Sequence, residues 1–242
     1  MHEWFEELKR QFILNFINDN RWQFLLSGLV VTLRITFFAL IIGISIGVIV
    51  AIIRSTYDKN ISKIRSPAGR FFLGLINGIC KIYLTVIRGT PVVVQLMIFY
   101  FVILVSIRNG ELIGIIAFGI NAGAYIAEIF RSGIMSIDNG QFEAGRSLGF
   151  NYIQTMQYII IPQAFKNILP TLANEFIVLL KETAVVGYVA VQDLTKAGDI
   201  IRGRTYSAFM PLIAVALLYL MLVMFFTWLV GKLERRLRSS DH

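Results

Sequence analysis

The run Phe24–Ile53, FLLSGLVVTLRITFFALIIGISIGVIVAII, carries one ionisable residue, Arg34, in thirty positions. A helix rises about 1.5 Å per residue, so roughly 20 such residues cross a ~30 Å hydrocarbon core. The apolar residues are continuous rather than alternating, which excludes a membrane barrel strand. Outward from this run lie four more candidates, Pro91–Ile107, Leu112–Met135, Ile168–Ala190 and Met210–Leu229. The whole chain is 56% hydrophobic, with mean hydropathy +0.69 and only 16% charged residues, where a soluble domain averages nearer a quarter. The expectation is an all-α membrane protein of about five transmembrane helices, with one membrane domain over residues 24–232.

Charge orients it. With five spans, residues 54–70, 131–166 and the tail from 232 share one side and hold twelve Lys/Arg against five acids. Residues 1–23, 107–111 and 190–209 share the other and hold seven against seven. Basic residues in short loops stay cytoplasmic, so the C-terminus with its basic tail, residues 233–242, is expected inside and the N-terminus outside. The formal charge of +8 is then a topology signal with some attraction to anionic membrane lipid, and a nucleic-acid role is excluded.

Residues 1–23 do not read as a cleaved signal, since Glu3, Glu6 and Glu7 replace a basic start. Trp4, Phe5, Leu8, Phe12 and Phe16 recur every three or four residues, as in an external amphipathic helix at the interface or a lid on the other helices. In the first span Gly43 and Gly47 permit close helix approach, and Arg34 reads as a snorkelling cation or a pore-lining one. Phe71–Ile87 is interrupted by Asn77 and Lys81 and reads as a cytoplasmic-side lead-in helix. Arg88-Gly89-Thr90-Pro91 breaks it, because proline cannot continue the hydrogen-bond ladder. Met210–Leu229 has no ionisable group and is expected to face lipid or serve as scaffold. Single Cys80 reads as a small core residue, and histidines only at positions 2 and 242 rule out a His-Glu-x-x-His metal site.

Between the third and fourth spans lies a loop, residues 136–167, too polar to span and too patterned to be a linker. Asp138-Asn139-Gly140 forms a turn, a short helix begins near Gln141, Gly149 permits a sharp turn, and a second helix stops at Pro162. That makes a docking surface on the cytoplasmic face. Here Glu143-Ala144-Gly145, three residues, Gly149, nine residues and Ile159-Ile160-Ile161-Pro162 resemble the loop of permease subunits of binding-protein-dependent ABC importers. The family pattern is Glu-Ala-Ala, three residues, Gly, nine residues, Ile-x-Leu-Pro, so Gly145 and Ile161 depart from it. Arg88-Gly89-Thr90-Pro91 with Gln95, Ala124–Arg131, and Asn174-Glu175-Phe176 leading to Lys181-Glu182-Thr183 resemble the polar amino-acid branch.

The resemblance implies a type I importer permease fold with a coupling helix between spans 3 and 4, in a bacterial cytoplasmic membrane. It implies an ABC ATPase dimer as partner, carrying the ATP and Mg, a second permease copy, identical or closely related, and an extracytoplasmic amino-acid-binding protein. Independently, no Gly-x-x-x-x-Gly-Lys-[Ser/Thr] loop occurs, so this chain is expected to bind no cofactor itself and to receive energy through docking. The coupling set is Phe142, Glu143, Ala144, Gly145, Arg146, Leu148 and Gly149, with Phe142, Leu148 and Phe150 as apolar anchors and Glu143 and Arg146 at the rim.

Ionisable residues inside a membrane default to function. Glu182 is the first candidate for a substrate ammonium or guanidinium, with Glu128, Lys181, Asn121, Tyr125, Gln95 and Tyr100 behind it. Glu128 is expected to pair with Lys181. Three carboxylates, Glu128, Glu175 and Glu182, against Lys181 leave two net negative charges, which favours arginine, lysine or histidine and leaves glutamine open. The competing class is a stand-alone secondary transporter or channel; transporters often show internal repeats, and none is visible. An intramembrane enzyme lacks a credible nucleophile and base.

Overall fold

The computed structural model describes residues 2–61, 64 and 66–238. Lys63, Arg65 and the tail residues 239–242, which entered the charge argument, lie outside the described residues. Among the described residues there are helices and no strands. They are α1 (His2–Phe12), α2 (Trp22–Asn60), α3 (Pro67–Gly89), α4 (Val92–Ile98), α5 (Gly110–Met135), α6 (Asn139–Ser147), α7 (Tyr152–Thr155), α8 (Ile161–Glu182), α9 (Leu194–Thr205) and α10 (Phe209–Arg238). Wider turns follow α1, α4 and α7, and a tight 3₁₀ stretch, Thr183–Val189, follows α8.

Helices α2, α3, α5 and α10 are each long and apolar enough to cross a membrane. At 22 residues α8 has the length, roughly 33 Å, while Lys166, Glu175, Lys181 and Glu182 lower its apolarity. Five span-length helices therefore stand, but not the five expected. The proposed second span, Pro91–Ile107, is corrected: its helical part, Val92–Ile103, is a shorter apolar helix below span length. Span length belongs instead to α3, 23 residues running straight through Asn77 and Lys81. Ser66 caps it, its hydroxyl accepting from the Gly69 amide, and Pro67 opens it with a φ already suited to a helix. The break at Gly89–Pro91 falls where expected. The fourth span is shifted too, its α-helix starting at Ile161 and ending at Glu182 rather than running to Ala190.

The chain divides into two compact units. The first comprises Met1–Ala39, Val92–Phe118 and Ile177–Trp228. Its core gathers Phe16, Leu25, Leu194, Ala197, Ile201 and Val215. Buried Asp193 caps α9, accepting from the amides of Thr195 (3.2 Å) and Lys196 (2.9 Å). The amide of Leu194 donates to the Thr32 hydroxyl at 3.1 Å, tying α9 to α2. The N-terminal segment splits its two expected roles. Trp4, Phe5 and Phe12 stay exposed, as suits an interface, whereas Phe16 enters the core and buried Asn15 bonds Ser207 and Thr205. Arg34 pairs with Glu111 at 3.2 Å, which supports the snorkelling reading.

The second unit comprises Leu40–Pro91, Gly119–Phe176 and Leu229–His242. Val50, Cys80, Leu84, Ala124 and Ala127 form one core cluster, so Cys80 is the core residue expected. The Tyr83 hydroxyl donates to the Ile120 carbonyl at 2.6 Å and holds α3 to α5. Gly43 and Gly47 let α2 approach α5 closely. A Cβ on Gly47 would stand 2.6 Å from Cγ2 of Ile126. A second cluster, Ile134, Ile160, Ala164 and Ile168, closes the loop end. In α10, Leu217, Leu220, Met221, Met224, Phe225 and Trp228 are exposed, in keeping with a lipid-facing scaffold.

Candidate functional site

Helix α6 is built by its flanks. The Asp138 carboxylate accepts from the Gly140 amide at 2.7 Å and starts it. At its end Gly149 adopts φ +83°, a left-handed conformation that glycine takes without strain. Asn151 then opens α7 through a reciprocal cap, its side chain accepting from the Gln154 amide while its own amide donates to the Gln154 side chain, both at 2.9 Å. The chain continues through Met156–Ile160 into α8. A short helix, a turn and a second helix thus stand where the sequence places them.

Gly145 is buried on the inner side of α6. A Cβ there would lie 2.7 Å from Thr155 Cγ2 and 2.9 Å from its hydroxyl. The departure from Glu-Ala-Ala is therefore a packing device: lost helix propensity, about 1 kcal/mol, permits contact between α6 and the start of the return helix. Gly145→Ala is expected to destabilise the loop despite better propensity, by up to about 2 kcal/mol once overpacking is counted. Faster protease cleavage in the 136–160 region would show it; slower cleavage would refute it.

The coupling residues separate by side. Phe142, Glu143 and Arg146 line a cavity of about 570 Å³ together with Lys59, Phe150 and Thr155. Phe142 is half-buried against the Ile134–Ile168 cluster, with the Lys59 ammonium 3.5 Å from its ring centroid. Its assignment as an outward anchor is corrected, because its ring is spent on its own chain. Phe150 is half-buried beside Tyr158, ring centroids 6.1 Å apart. Leu148, 72% exposed, is the anchor left facing out, with Glu143, Ala144, Arg146 and Gly149 exposed around it.

The substrate candidates fall in different units. Gln95, Tyr100, Lys181 and Glu182 belong to the first, Asn121, Tyr125 and Glu128 to the second. Gln95 and Asn121 are buried, Tyr100, Tyr125 and Glu182 half-buried, and Lys181 exposed. The expected Glu128–Lys181 pair is corrected. Glu128 is gripped by Arg131, whose Nε donates to it at 3.1 Å and whose terminal nitrogen makes a second contact. Arg131 lies inside α5, not in the loop, so it cancels Glu128 and the expected excess of two negative charges shrinks to one. The spacing of three residues carried that signal, since such residues are neighbours on a helix. Arg54, Lys81 and Arg88, which the sequence does not mark as site residues, line a second cavity of about 580 Å³ with Glu128 and Arg131.

Comparison with known proteins places this geometry. The family profile described as binding-protein-dependent transport system inner membrane component matches residues 66–239. The chain is 37% identical over 222 residues to an arginine transport system permease protein of Bacillus subtilis, covering 90% of this chain and 94% of that one. It is 36% identical over 174 residues to a glutamine transport system permease protein of Escherichia coli, covering 70% and 80%. A crystal structure of an amino acid ABC transporter with histidines superposes with TM-score 0.79 at 39% identity, over 91% of this chain and 98% of that one. A methionine ABC transporter at 20% identity, TM-score 0.73, shares the fold. Span-length helices, a folded helical loop at the matched spacing and these likenesses agree: the chain belongs to the inner membrane component family of binding-protein-dependent transport systems.

Proposed function

We propose that this chain forms the transmembrane pathway of an ATP-driven importer for polar or basic L-amino acids, arginine, lysine and histidine favoured, and that α6 is its docking knob for a separate ATPase. The carrying observation is α6 itself, stapled at Gly145 to the return helix while Glu143, Arg146 and Leu148 face out. A knob fixed to a span-length helix passes on displacement, as alternating access driven from outside the chain requires. ATP and Mg then belong to the ATPase, and a binding protein delivers substrate from the opposite face. The excess of basic residues beside the loop supports a cytoplasmic loop and C-terminus, with the N-terminus outside. A second permease copy, identical or closely related, completes the pathway, and the exposed apolar faces leave room for it.

For the substrate, Glu182 remains the carboxylate to test. It closes α8 half-buried, next to Thr183, whose buried hydroxyl donates to the Leu180 carbonyl at 2.9 Å. Relatives named for arginine and for glutamine bracket the choice.

Reconstitution with the ATPase and binding protein tests the reading. ATP hydrolysis stimulated by arginine or lysine supports it, and uptake by this chain alone without ATP refutes it. Glu182→Gln is expected to raise the half-saturating concentration of a basic amino acid about tenfold with assembly intact, the effect of removing one charged hydrogen bond. Unchanged kinetics would remove Glu182 from the pathway, and stimulation by glutamine alone would discard the cationic preference.

A further inference from the structure

Helix α1 is amphipathic. Glu3, Glu6 and Arg10 share one side of it. Trp4, Phe5 and Phe12 share the other and are 64%, 68% and 51% exposed, a gathering of large aromatic surface that marks a contact with something other than water. A corner sets this helix apart from α2. Asp19 and Asn20 take left-handed φ values of +55° and +52°. Arg21 closes the corner, donating to the Leu14 carbonyl at 2.5 Å and to the Asp19 carboxylate at 2.6 Å. Asn15 then fastens the segment to the joint between α9 and α10, donating to the Ser207 hydroxyl at 3.2 Å and accepting from that of Thr205 at 2.8 Å. Trp4, Leu8 and Leu14 share a cleft of about 500 Å³ with Phe209 and Met210, the first two residues of α10. Trp4 near one end of α1 and Leu14 just past the other thus both reach the stretch 205–210, which holds α1 across the end of α10 rather than along it.

The depth of that end follows from α10. Residues 209–231 carry no charge, and their length, roughly 35 Å, barely exceeds a ~30 Å hydrocarbon core, so Phe209 lies at the core's edge. Phe209, Leu212 and Ile213 are exposed and carry the lipid-facing side of α10 up to the cleft. The apolar face of α1 is therefore continuous with a surface that meets acyl chains. Its polar neighbours need no ligand. Glu7, which also lines the cleft, accepts from Gln11 at 2.9 Å and pairs with Arg10 at 2.7 Å. The cleft thus calls for an apolar occupant and not for a charged one. A helix with aromatic residues on one side and charges on the other settles about 5–10 Å into the boundary between headgroups and acyl chains. We propose that Trp4, Phe5 and Phe12 of α1, with Phe209 and Met210 across the cleft, form one seat for the acyl chains of a phospholipid leaflet. The inference rests on α10 as a span and is independent of the substrate and of which leaflet is met.

The chain has three tryptophans, so Trp22→Phe/Trp228→Phe leaves Trp4 as the sole reporter. This full-length variant is reconstituted in phosphatidylcholine vesicles whose acyl chains carry bromine either near the headgroup or near the tail end. Bromine near the headgroup is expected to cut Trp4 emission to about half or less, bromine near the tail end to quench it less, and iodide in the buffer to reach it poorly. Adding Phe5→Ser/Phe12→Ser should lower the bromolipid quenching about threefold, since it removes the apolar face beside Trp4. Both side chains are exposed, so the fold should survive, and a monodisperse peak checks that. Glu3→Gln/Glu6→Gln, on the opposite side, should leave the quenching unchanged. Free access of iodide without bromolipid quenching overturns the seat. Shielding from both quenchers means that protein, such as a second copy, covers α1, and overturns it too. Stronger quenching from the tail end overturns the assigned depth, and full quenching in the double Ser variant overturns the part given to this face.

Discussion

Gly47→Leu is expected to eliminate nearly all folded protein, lowering stability by about 3 kcal/mol or more. The reason is geometric. A Cβ at position 47 would meet Ile126 Cγ2 at 2.6 Å, Ile126 Cβ at 2.9 Å and the Ala127 amide nitrogen at 3.0 Å. Backbone and a β-branched stem cannot swing aside as the tip of a flexible side chain can. Helix α2 must then be pushed off α5, and the contacts of the Val50–Ala127 cluster open with it. Gly231→Leu is the matched control, since nothing lies within 4 Å of a Cβ at that position on α10. It should leave stability unchanged or raise it by up to about 1 kcal/mol through helix propensity. Recovery of a monodisperse peak after graded heating distinguishes the two. Equal recovery would mean that α2 and α5 are not packed this closely.

The second large effect is expected from Leu148→Asp. A fully desolvated apolar anchor at an interface is worth about 2–4 kcal/mol, so capture of the ATPase should weaken by at least about thirtyfold. Because Leu148 is 72% exposed, the chain itself should fold and insert normally. Glu143→Ala, which alters the rim, should weaken capture far less, by about threefold to tenfold. Phe142→Ala tests the corrected geometry from the other side: its ring packs on its own chain, so its loss should show in loop stability before it shows in capture. Undiminished capture by Leu148→Asp would move the docking surface elsewhere.

Much of this is legible in the sequence alone. The apolar runs announced α2, α5 and α10. Asp138-Asn139-Gly140 and Gly149 announced both ends of α6, because turn chemistry is local and survives any tertiary context. What escaped was information carried by helix faces rather than by windows. Averaged hydropathy is broken by Asn77 and Lys81, yet on α3 Asn77 turns inward, buried, while Lys81 turns to Tyr57, and the helix continues. Arg131 lies within the third expected span yet is counted with the loop charges, although its pairing with Glu128 follows from their spacing on one helix face. The inward turn of Phe142 depends on Lys59, some eighty residues away in sequence, and no local pattern reports that. The end of α8 at Glu182, with a 3₁₀ stretch beyond it, lies where the buried Thr183 hydroxyl turns back to the Leu180 carbonyl at 2.9 Å, a contact that window hydropathy does not report.

The glycine notches of α2 have a mechanical meaning. Helices seated at such a distance cannot slide past one another gradually, since Ala122 and Ile126 would have to climb out of the notches at Gly43 and Gly47 before settling again. Within the second unit the facing parts of α2 and α5 therefore serve as a stator, and motion has to be taken up at joints where the chain is already irregular. Two such joints are on hand, Gly89–Pro91 and Thr183–Ala190, where Ala190 sits at φ +59°. With one closely seated pair and a few irregular joints, any change of shape is expected to pass between discrete arrangements at the joints and not by gradual flexing of α2 against α5.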